Sequence, residues 1–88
     1  MSLYLKKPTG LTKRDERRRK LEILNPDGVP IDVVWDYFEV GSSVFIPAIN
    51  TTEAIAQVKR LAKYHHWEIS YTIRSEHGKW GLRVWRLL

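Results

Sequence analysis

The chain has 88 residues, of which 43% are hydrophobic, and it carries a net charge of +5 at pH 7. This length allows a single domain, and the hydrophobic content is too high for wholesale disorder. The absence of Cys excludes disulfides, thiolate metal sites and a cysteine nucleophile. The longest apolar stretch, near residues 44–49, is too short to span a membrane, and residues 1–7 do not resemble a secretory signal.

Charge is divided among three segments of the chain. Residues 1–20 hold eight Lys or Arg and two acidic residues, for a local charge of +6. Residues 21–58 hold six acidic residues and no Lys or Arg, for −6, and residues 59–88 hold seven basic and two acidic residues, for +5. Basic segments of this kind favour polyanionic partners. The alternative is that the acidic middle neutralises the basic ends, within one molecule or between two copies.

Residues 1–24 are predicted to form a basic N-terminal arm that is helical from about residue 11. Thr12 can cap this helix, with Asp15 three residues later. Its first three turns carry no apolar stripe, so we expect the helix to fray in isolation and to become ordered on a partner. Apolar residues concentrate beyond the arm, which places one small domain at residues 25–88.

The first half of this domain contains a turn and one ambiguous segment. The run from Asn25 to Gly28 predicts a turn because Pro26 presets φ and Gly28 tolerates positive φ. Residues 31–40 fit either a helical face or an alternating strand, and their β-branched residues favour a strand followed by a tight turn at residues 36–39. A short strand is expected from Ser43 to Ile46, ended by Pro47.

The sequence of the second half of the domain begins with a predicted helix. Asn50 is a strong N-cap candidate for a helix from Thr51 to about His65, with Glu53 reaching back to complete a capping box. Apolar residues at helical spacing form the face toward the core. The basic residues predicted to face away from the core are Lys59, Arg60 and Lys63.

A β-hairpin follows the predicted helix. Alternation favours strands over Trp67–Arg74 and Trp80–Leu87, joined by a two-residue loop at His77-Gly78. Counting outward from this loop pairs Glu76 with Lys79, Ile73 with Leu82, Tyr71 with Val84 and Ile69 with Arg86. The hairpin face that carries Ile73, Leu82, Tyr71 and Val84 is expected to pack against the helix. Trp35, Trp67 and Trp80 are expected in the core. The fold class is therefore α+β: a small β-α-β-β module, with a short antiparallel sheet and one helix on one face.

The other face of the hairpin carries Arg74, Arg83 and Trp85, with Lys79 near the tip. An aromatic ring among guanidinium groups on an open sheet can stack bases while the charges hold phosphates. The alternative is that Trp85 packs beneath the N-terminal segment or a second subunit and that both arginines are merely solvated.

The arm is a second candidate for binding nucleic acid, because its basic side chains could contact phosphates without reading base sequence. The alternative is a solubilising tail. The residues predicted to bind nucleic acid are Lys13, Arg14, Arg17, Arg18, Arg19, Lys20, Lys59, Arg60, Lys63, Arg74, Lys79, Arg83 and Trp85.

Catalytic and metal-binding patterns are absent from the sequence. His65 and His66 are adjacent and His77 lies in a turn, so no histidine spacing matches a metal site. There is no Gly-rich phosphate loop, nucleophile elbow or recognisable carboxylate pair. We therefore predict no cofactor, no metal and no catalytic residue, and expect a protein that is not an enzyme.

Two stretches, Phe38 to Pro47 and Gly81 to Arg86, resemble a family of small bacteriophage proteins. The family pattern is a "VG-x-S-F-x-V-P" strand, a basic helix and a terminal "G-x-R-V-W-R" strand. Members are mostly of unknown function and are often taken to bind nucleic acid. The resemblance implies a phage origin and the cytoplasm of an infected bacterial host. Val44 and Phe45 depart from the family's aromatic positions, which leaves open which of the two points inward.

Three functions are compatible with these features. The favoured one is a non-catalytic accessory protein that binds nucleic acid, with DNA favoured, through the arm and the hairpin face. The second is a protein-binding modulator or inhibitor of a host complex such as a polymerase or nuclease. The third is a homo-oligomeric structural protein, in which the acidic middle of one copy meets a basic end of another. No membrane partner is expected, because the arm lacks the apolar face of an interfacial helix.

Overall fold

A computed structural model describes residues 21–88 of the chain. Residues 1–20, which include most of the predicted arm helix and its six basic residues from Lys13 to Lys20, lie outside the described part. Within it, one α-helix and antiparallel strands form a small α+β fold, which confirms the predicted class. The elements in chain order are β1 (Ile23–Leu24), β2 (Ile31–Asp32), a 3-10 turn (Trp35–Tyr37), β3 (Ser43–Pro47), α1 (Thr51–His65), β4 (Ile69–Glu76) and β5 (Lys79–Arg86).

The main sheet has three antiparallel strands in the order β3-β5-β4, while β1 and β2 form a separate two-stranded pair. The hairpin register is confirmed: Glu76 pairs with Lys79, and the ladder continues to Ile69 opposite Arg86. His77 and Gly78 form the two-residue loop with φ of +51° and +78°. Positive φ at both loop positions is the geometry that favours Gly and matches the twist of the two strands.

The N-terminus of α1 is held by two side chains. Asn50 Oδ1 accepts a hydrogen bond from Glu53 N at 3.1 Å, which confirms the predicted cap. The predicted return contact from Glu53 is wrong, because Asp27 Oδ1 already accepts from Asn50 N at 2.8 Å. Asp27 Oδ2 accepts from Ile49 N at 2.9 Å, and these backbone hydrogen bonds lower the pKa of Asp27. The predicted turn at residues 25–28 thus carries a carboxylate to the helix start.

The core lies between α1 and one face of the main sheet. Leu82 and Val84 of β5 and Ile46 of β3 are fully buried and pack in one cluster with Val58 and Leu61 of α1. Strand alternation explains this arrangement, since side chains two residues apart share a face.

An aromatic group closes one end of this core. Trp35 and Phe38 are buried, and their ring centroids lie 6.0 and 5.2 Å from that of Trp67. The predicted strand through residue 35 is wrong: β2 ends at Asp32, and the 3-10 turn brings Trp35 and Phe38 onto the same side. Trp35 Nε1 donates to Glu22 O at 2.7 Å, which satisfies the buried indole.

The prediction that Trp80 lies in the core is wrong, because this residue is 49% exposed. The pairing of β3 with β5 ends at Pro47 opposite Gly81. Trp80 therefore lies one residue beyond the three-stranded part of the sheet, on a hairpin that is longer than β3.

The compact domain also begins earlier than residue 25. Leu24 is 1% exposed and belongs to the core cluster, with Leu21 packed against that cluster. Glu22 Oε2 lies 3.1 Å from Nε2 of His65, the last residue of α1. Residues 21–24 therefore belong to the folded unit and not to the arm.

Gly81 marks the closest approach between β3 and β5. A Cβ atom at this position would lie 2.2 Å from Ile46 O, 2.8 Å from Pro47 Cα and 2.9 Å from Phe45 Cζ. Two of these three atoms are backbone, so a side-chain rotation cannot relieve the overlap.

We expect Gly81→Ala to lower the free energy of unfolding by about 2 kcal/mol or more, because overpacking forces backbone shifts. Urea unfolding followed by tryptophan fluorescence would measure this loss. Ser70→Ala, an exposed change in the same sheet, is the control and should stay within about 0.5 kcal/mol of the unchanged chain. Equal stability of the two variants would contradict the close approach at Gly81.

Candidate nucleic-acid interface

The face of the main sheet opposite α1 is called the open face here. The observed register identifies the residues of the open face, because every second side chain of each strand points to this side. Apart from Gly81, its residues are half-buried or exposed. The open face consists of Ser43, Phe45 and Pro47 of β3, Lys79, Gly81, Arg83 and Trp85 of β5, and Ser70, Thr72, Arg74 and Glu76 of β4.

Arg83 occupies the centre of the open face, between Phe45 on β3 and Thr72 on β4. Its guanidinium forms a bidentate pair with Glu76, in which Arg83 Nε donates to Oε2 at 2.8 Å and Nη2 donates to Oε1. Arg83 Nη1 also donates to Ser43 Oγ at 3.1 Å. Side chains from both neighbouring strands therefore hold this guanidinium in place.

Glu76 is the counter-ion of the open face. The hydrogen bond from Arg83 lowers the pKa of Glu76 and raises the pKa of Arg83. Arg74 Nε lies 3.1 Å from Glu76 Oε2, and the Arg74 side chain is 49% exposed. One carboxylate thus faces two guanidinium groups, which leaves Arg74 and Lys79 as the groups more accessible to phosphate.

Two aromatic side chains flank Arg83. The Phe45 ring reaches over Gly81, where a Cβ would touch it, and its centroid lies 5.8 Å from the Arg83 guanidinium carbon. Trp85 follows Arg83 by two residues on β5 and lies opposite Ser43 and Ser70. By register, Phe45, Arg83 and Trp85 are neighbouring planar side chains on the open face, and together they are called the planar strip below.

The structure shows which of Val44 and Phe45 points toward the core. Val44 lies opposite Val84 on the core face, and Phe45 lies opposite Arg83 on the open face. Sequence reasoning missed Phe45 and Glu76 as members of the site. The available signal was the alternation of the strand, because a buried Ile46 requires its neighbour Phe45 to point to the other side.

The basic residues of the helix do not join the planar strip. Lys59, Arg60 and Lys63 are exposed on α1, which covers the core face of the sheet. Lys59 Nζ lies 5.6 Å from the centroid of the Tyr71 ring, and Arg60 Nη2 lies 3.5 Å from Glu53 Oε2. The predicted binding residues therefore fall on two opposite sides of the molecule.

Other functional features are few in the part of the chain that the structure describes. Residues 21–88 contain no cluster of three or more His, Asp or Glu side chains suited to a metal ion. Among the same residues, no helix has the length and apolar character needed to cross a membrane. The imidazole of His65 stacks on Trp67 at 4.3 Å between centroids, so this histidine packs against the aromatic group.

Comparison with known proteins identifies no relative of this chain. No protein-family model, no curated protein and no solved structure matches it.

We expect Glu76→Gln to lower the midpoint temperature of unfolding at neutral pH, because Arg83 loses its bidentate carboxylate partner. The pKa of Glu76 is lowered in the folded state, so its contribution is complete above the unfolded value of about 4.3. The contribution is then lost as pH falls through the folded pKa. Thermal unfolding from neutral pH to about pH 2 should show the two chains converging below about pH 4.

Asp36→Asn is the control for this experiment, since Asp36 is an exposed carboxylate on the 3-10 turn. It should change the midpoint little at any pH. A difference between the unchanged chain and Glu76→Gln that persists to the lowest pH would argue against an ionic role for Glu76.

Proposed function

We propose that this protein is a non-catalytic nucleic-acid-binding protein that binds single strands, with DNA favoured, on the open face. The observation that carries the proposal is the planar strip of Phe45, Arg83 and Trp85. Single-stranded nucleic acid offers unpaired bases with exposed ring faces, and aromatic or guanidinium planes on a sheet stack against them. A flat face of this kind suits splayed bases better than the grooves of a duplex.

The fixed position of Arg83 supports the proposal. Glu76 and Ser43 hold its guanidinium before any ligand binds, so little conformational entropy is lost when a base stacks on it. Because Glu76 neutralises this group, Arg83 acts in the proposal as a stacking plane rather than as a phosphate contact.

Phosphate contacts are assigned to the remaining cations. Arg74 is half exposed on the open face, and Lys79 is exposed at its end beside the hairpin loop. Neutralisation of phosphates by Lys and Arg releases counter-ions, so binding is expected to weaken steeply with salt. The basic residues of the arm, from Lys13 to Lys20, would add to this term without reading base sequence.

The proposed biological setting is that of a bacteriophage accessory protein acting in the host cytoplasm. It rests on the resemblance of residues 38–47 and 81–86 to small phage proteins. The planar strip draws on both stretches, because Phe45 belongs to the first and Arg83 and Trp85 belong to the second.

We expect Trp85→Ala to weaken binding of a fluorescein-labelled single-stranded oligonucleotide by about tenfold or more, since stacking contributes about 1–3 kcal/mol per base. Fluorescence anisotropy titration at low salt would give the Kd. Trp80→Ala is the matched control, because it removes the same side chain from an exposed position on the opposite side of the sheet.

The proposal requires Trp80→Ala to retain the Kd of the unchanged chain. Far-UV circular dichroism should first show that both variants are folded. Equal losses in the two variants, or no binding by the unchanged chain at the lowest salt, would contradict binding on the open face.

Replacement of Arg17, Arg18 and Arg19 by Gln tests the arm separately. We expect this triple variant to lose affinity for single strands and duplex alike. The slope of log Kd against log salt should fall by about 2, since each phosphate contact on a single strand contributes about 0.7. Trp85→Ala should leave that slope unchanged, because stacking releases few ions. An unchanged slope in the triple variant would remove the arm from the proposal.

A second candidate function is binding to a protein of the host, such as a polymerase or nuclease. The loop before β3 exposes Val34, Tyr37 and Val40 to 62%, 78% and 60%, with the acidic residues Asp36 and Glu39 between them. Exposed apolar side chains rimmed by charge are typical of protein-binding surfaces. A pull-down from nuclease-treated lysate would favour this function if Tyr37→Ala, but not Trp85→Ala, releases a bound polymerase or nuclease.

A further inference from the structure

Within residues 21–88, the outer edge of β4 has no strand partner, and the hydrogen bonds of β5 show which backbone groups point to it. Trp80 O accepts from Ala48 N at 3.0 Å and Arg86 O accepts from Gly41 N at 2.8 Å, so even-numbered residues of β5 bond toward β3. The odd-numbered residues of β5 therefore bond toward β4, where their ladder partners are even-numbered. The backbone N–H and C=O groups of Ile69, Tyr71, Ile73 and Ser75 consequently point to the outer edge.

Within residues 21–88, the outer edge of β4 is long, regular and free of Pro. β4 is eight residues long without Pro, and within residues 21–88 it pairs only with β5. The opposite edge strand, β3, has five residues and ends with Pro47, which cannot donate a ladder hydrogen bond. A long, regular edge without Pro is a template for pairing with another strand.

The charges beside the edge indicate what pairs with it. Arg74 lies within β4 on the open face. Glu68 lies just before β4 and bonds through its backbone to Leu87 and Leu88, and continued alternation would place its side chain on the same side. In an antiparallel pair of two β4 strands with Tyr71 on the two-fold axis, Glu68 lies opposite Arg74 of the second copy. The same register places Ile69 opposite Ile73 of the second copy on the other face.

Neighbouring registers lose this complementarity. With Thr72 on the axis, Glu68 would lie opposite Glu76 of the second copy, and like charges directly opposite one another are destabilising. With Ile73 on the axis, Arg74 would lie opposite Thr72. Of the registers centred on Tyr71, Thr72 and Ile73, the one centred on Tyr71 joins opposite charges at two symmetric positions.

We propose that β4 is a self-association surface, on which a second copy of this chain adds its own β4 in antiparallel orientation with Tyr71 on the two-fold axis. The product is a continuous six-stranded sheet with both helices on one side. Both open faces then lie on the other side, which would present two planar strips to one nucleic-acid strand. That last consequence rests on the proposed function, whereas the pairing does not.

Lys59 opposes this pairing to some degree. Its Nζ lies 5.6 Å from the Tyr71 ring centroid, so the axis brings Lys59 of both copies to the same side of the sheet. Lys59→Gln is therefore expected to tighten the dimer by removing the repulsion.

A charge exchange tests the pairing. Sedimentation equilibrium of the full chain should give a dimer for the unchanged sequence and a dimer Kd raised about tenfold or more for Arg74→Glu or Glu68→Arg. The double variant Glu68→Arg with Arg74→Glu should restore the Kd to within about threefold. Six residues separate the two positions along one extended strand, so rescue requires contact between copies.

Arg74 also contacts Glu76 of its own chain, and loss of that contact alone would not be repaired by Glu68→Arg. A monomeric unchanged chain at high concentration, or single variants that the exchange does not rescue, would overturn the pairing. Single-strand binding can be measured on a monomer, so failure here is distinguishable from failure of the proposed function.

Single cysteines test the register, because the chain has none of its own. Residues on the axis should have Cα atoms about 5.5 Å apart, within disulfide range. Oxidation should therefore cross-link Tyr71→Cys faster than Thr72→Cys or Ile73→Cys. Fastest cross-linking at residue 72 or 73 would overturn the register centred on Tyr71.

Discussion

The length of the loop between β4 and β5 is the constraint on which the candidate site depends. His77 and Gly78 both adopt positive φ, which closes the hairpin with two residues and fixes Glu76 opposite Lys79. Because side chains alternate along a strand, a loop one residue longer would exchange the two faces of a strand. Leu82 and Val84 would then meet solvent, and Arg83 and Trp85 would meet α1. The core and the planar strip are thus set by the same turn.

Local signals made part of this fold predictable. The Asn50 cap, the bounds of α1 and the hairpin register each depend on a few residues close in sequence, and all three are confirmed. The conformation of residues 31–40 and the exposure of Trp80 were not predictable in this way. Trp35 reaches the core through a 3-10 turn because Phe38 and Trp67 are there to receive it, and Trp80 is exposed because β3 ends before reaching it. Both outcomes are set by tertiary neighbours.

The charged segments of the sequence do not correspond to separate acidic and basic surfaces of the folded domain. Two acidic residues of the negative middle segment act inside the molecule: Asp27 holds the start of α1 through two backbone N–H groups, and Glu22 contacts His65. Six of the seven basic residues of the last segment divide between α1 and the open face, and the seventh, Arg86, donates to Phe38 O beside the aromatic group. Net charge per segment therefore predicted a polyanion partner without predicting which surface would meet it.

The two edge strands of the main sheet differ in their capacity to pair with a further strand, and Pro47 contributes to this difference. The β3 edge is short and lacks a backbone donor at its last residue, while the β4 edge is long and regular. In the proposed pairing, the sheet is therefore extended at the β4 edge. Assembly through that edge uses the same surface on both copies, and such contacts close on themselves after two members instead of propagating. In the proposed pairing, the short β3 edge and Pro47 therefore favour a finite assembly over an open-ended fibre.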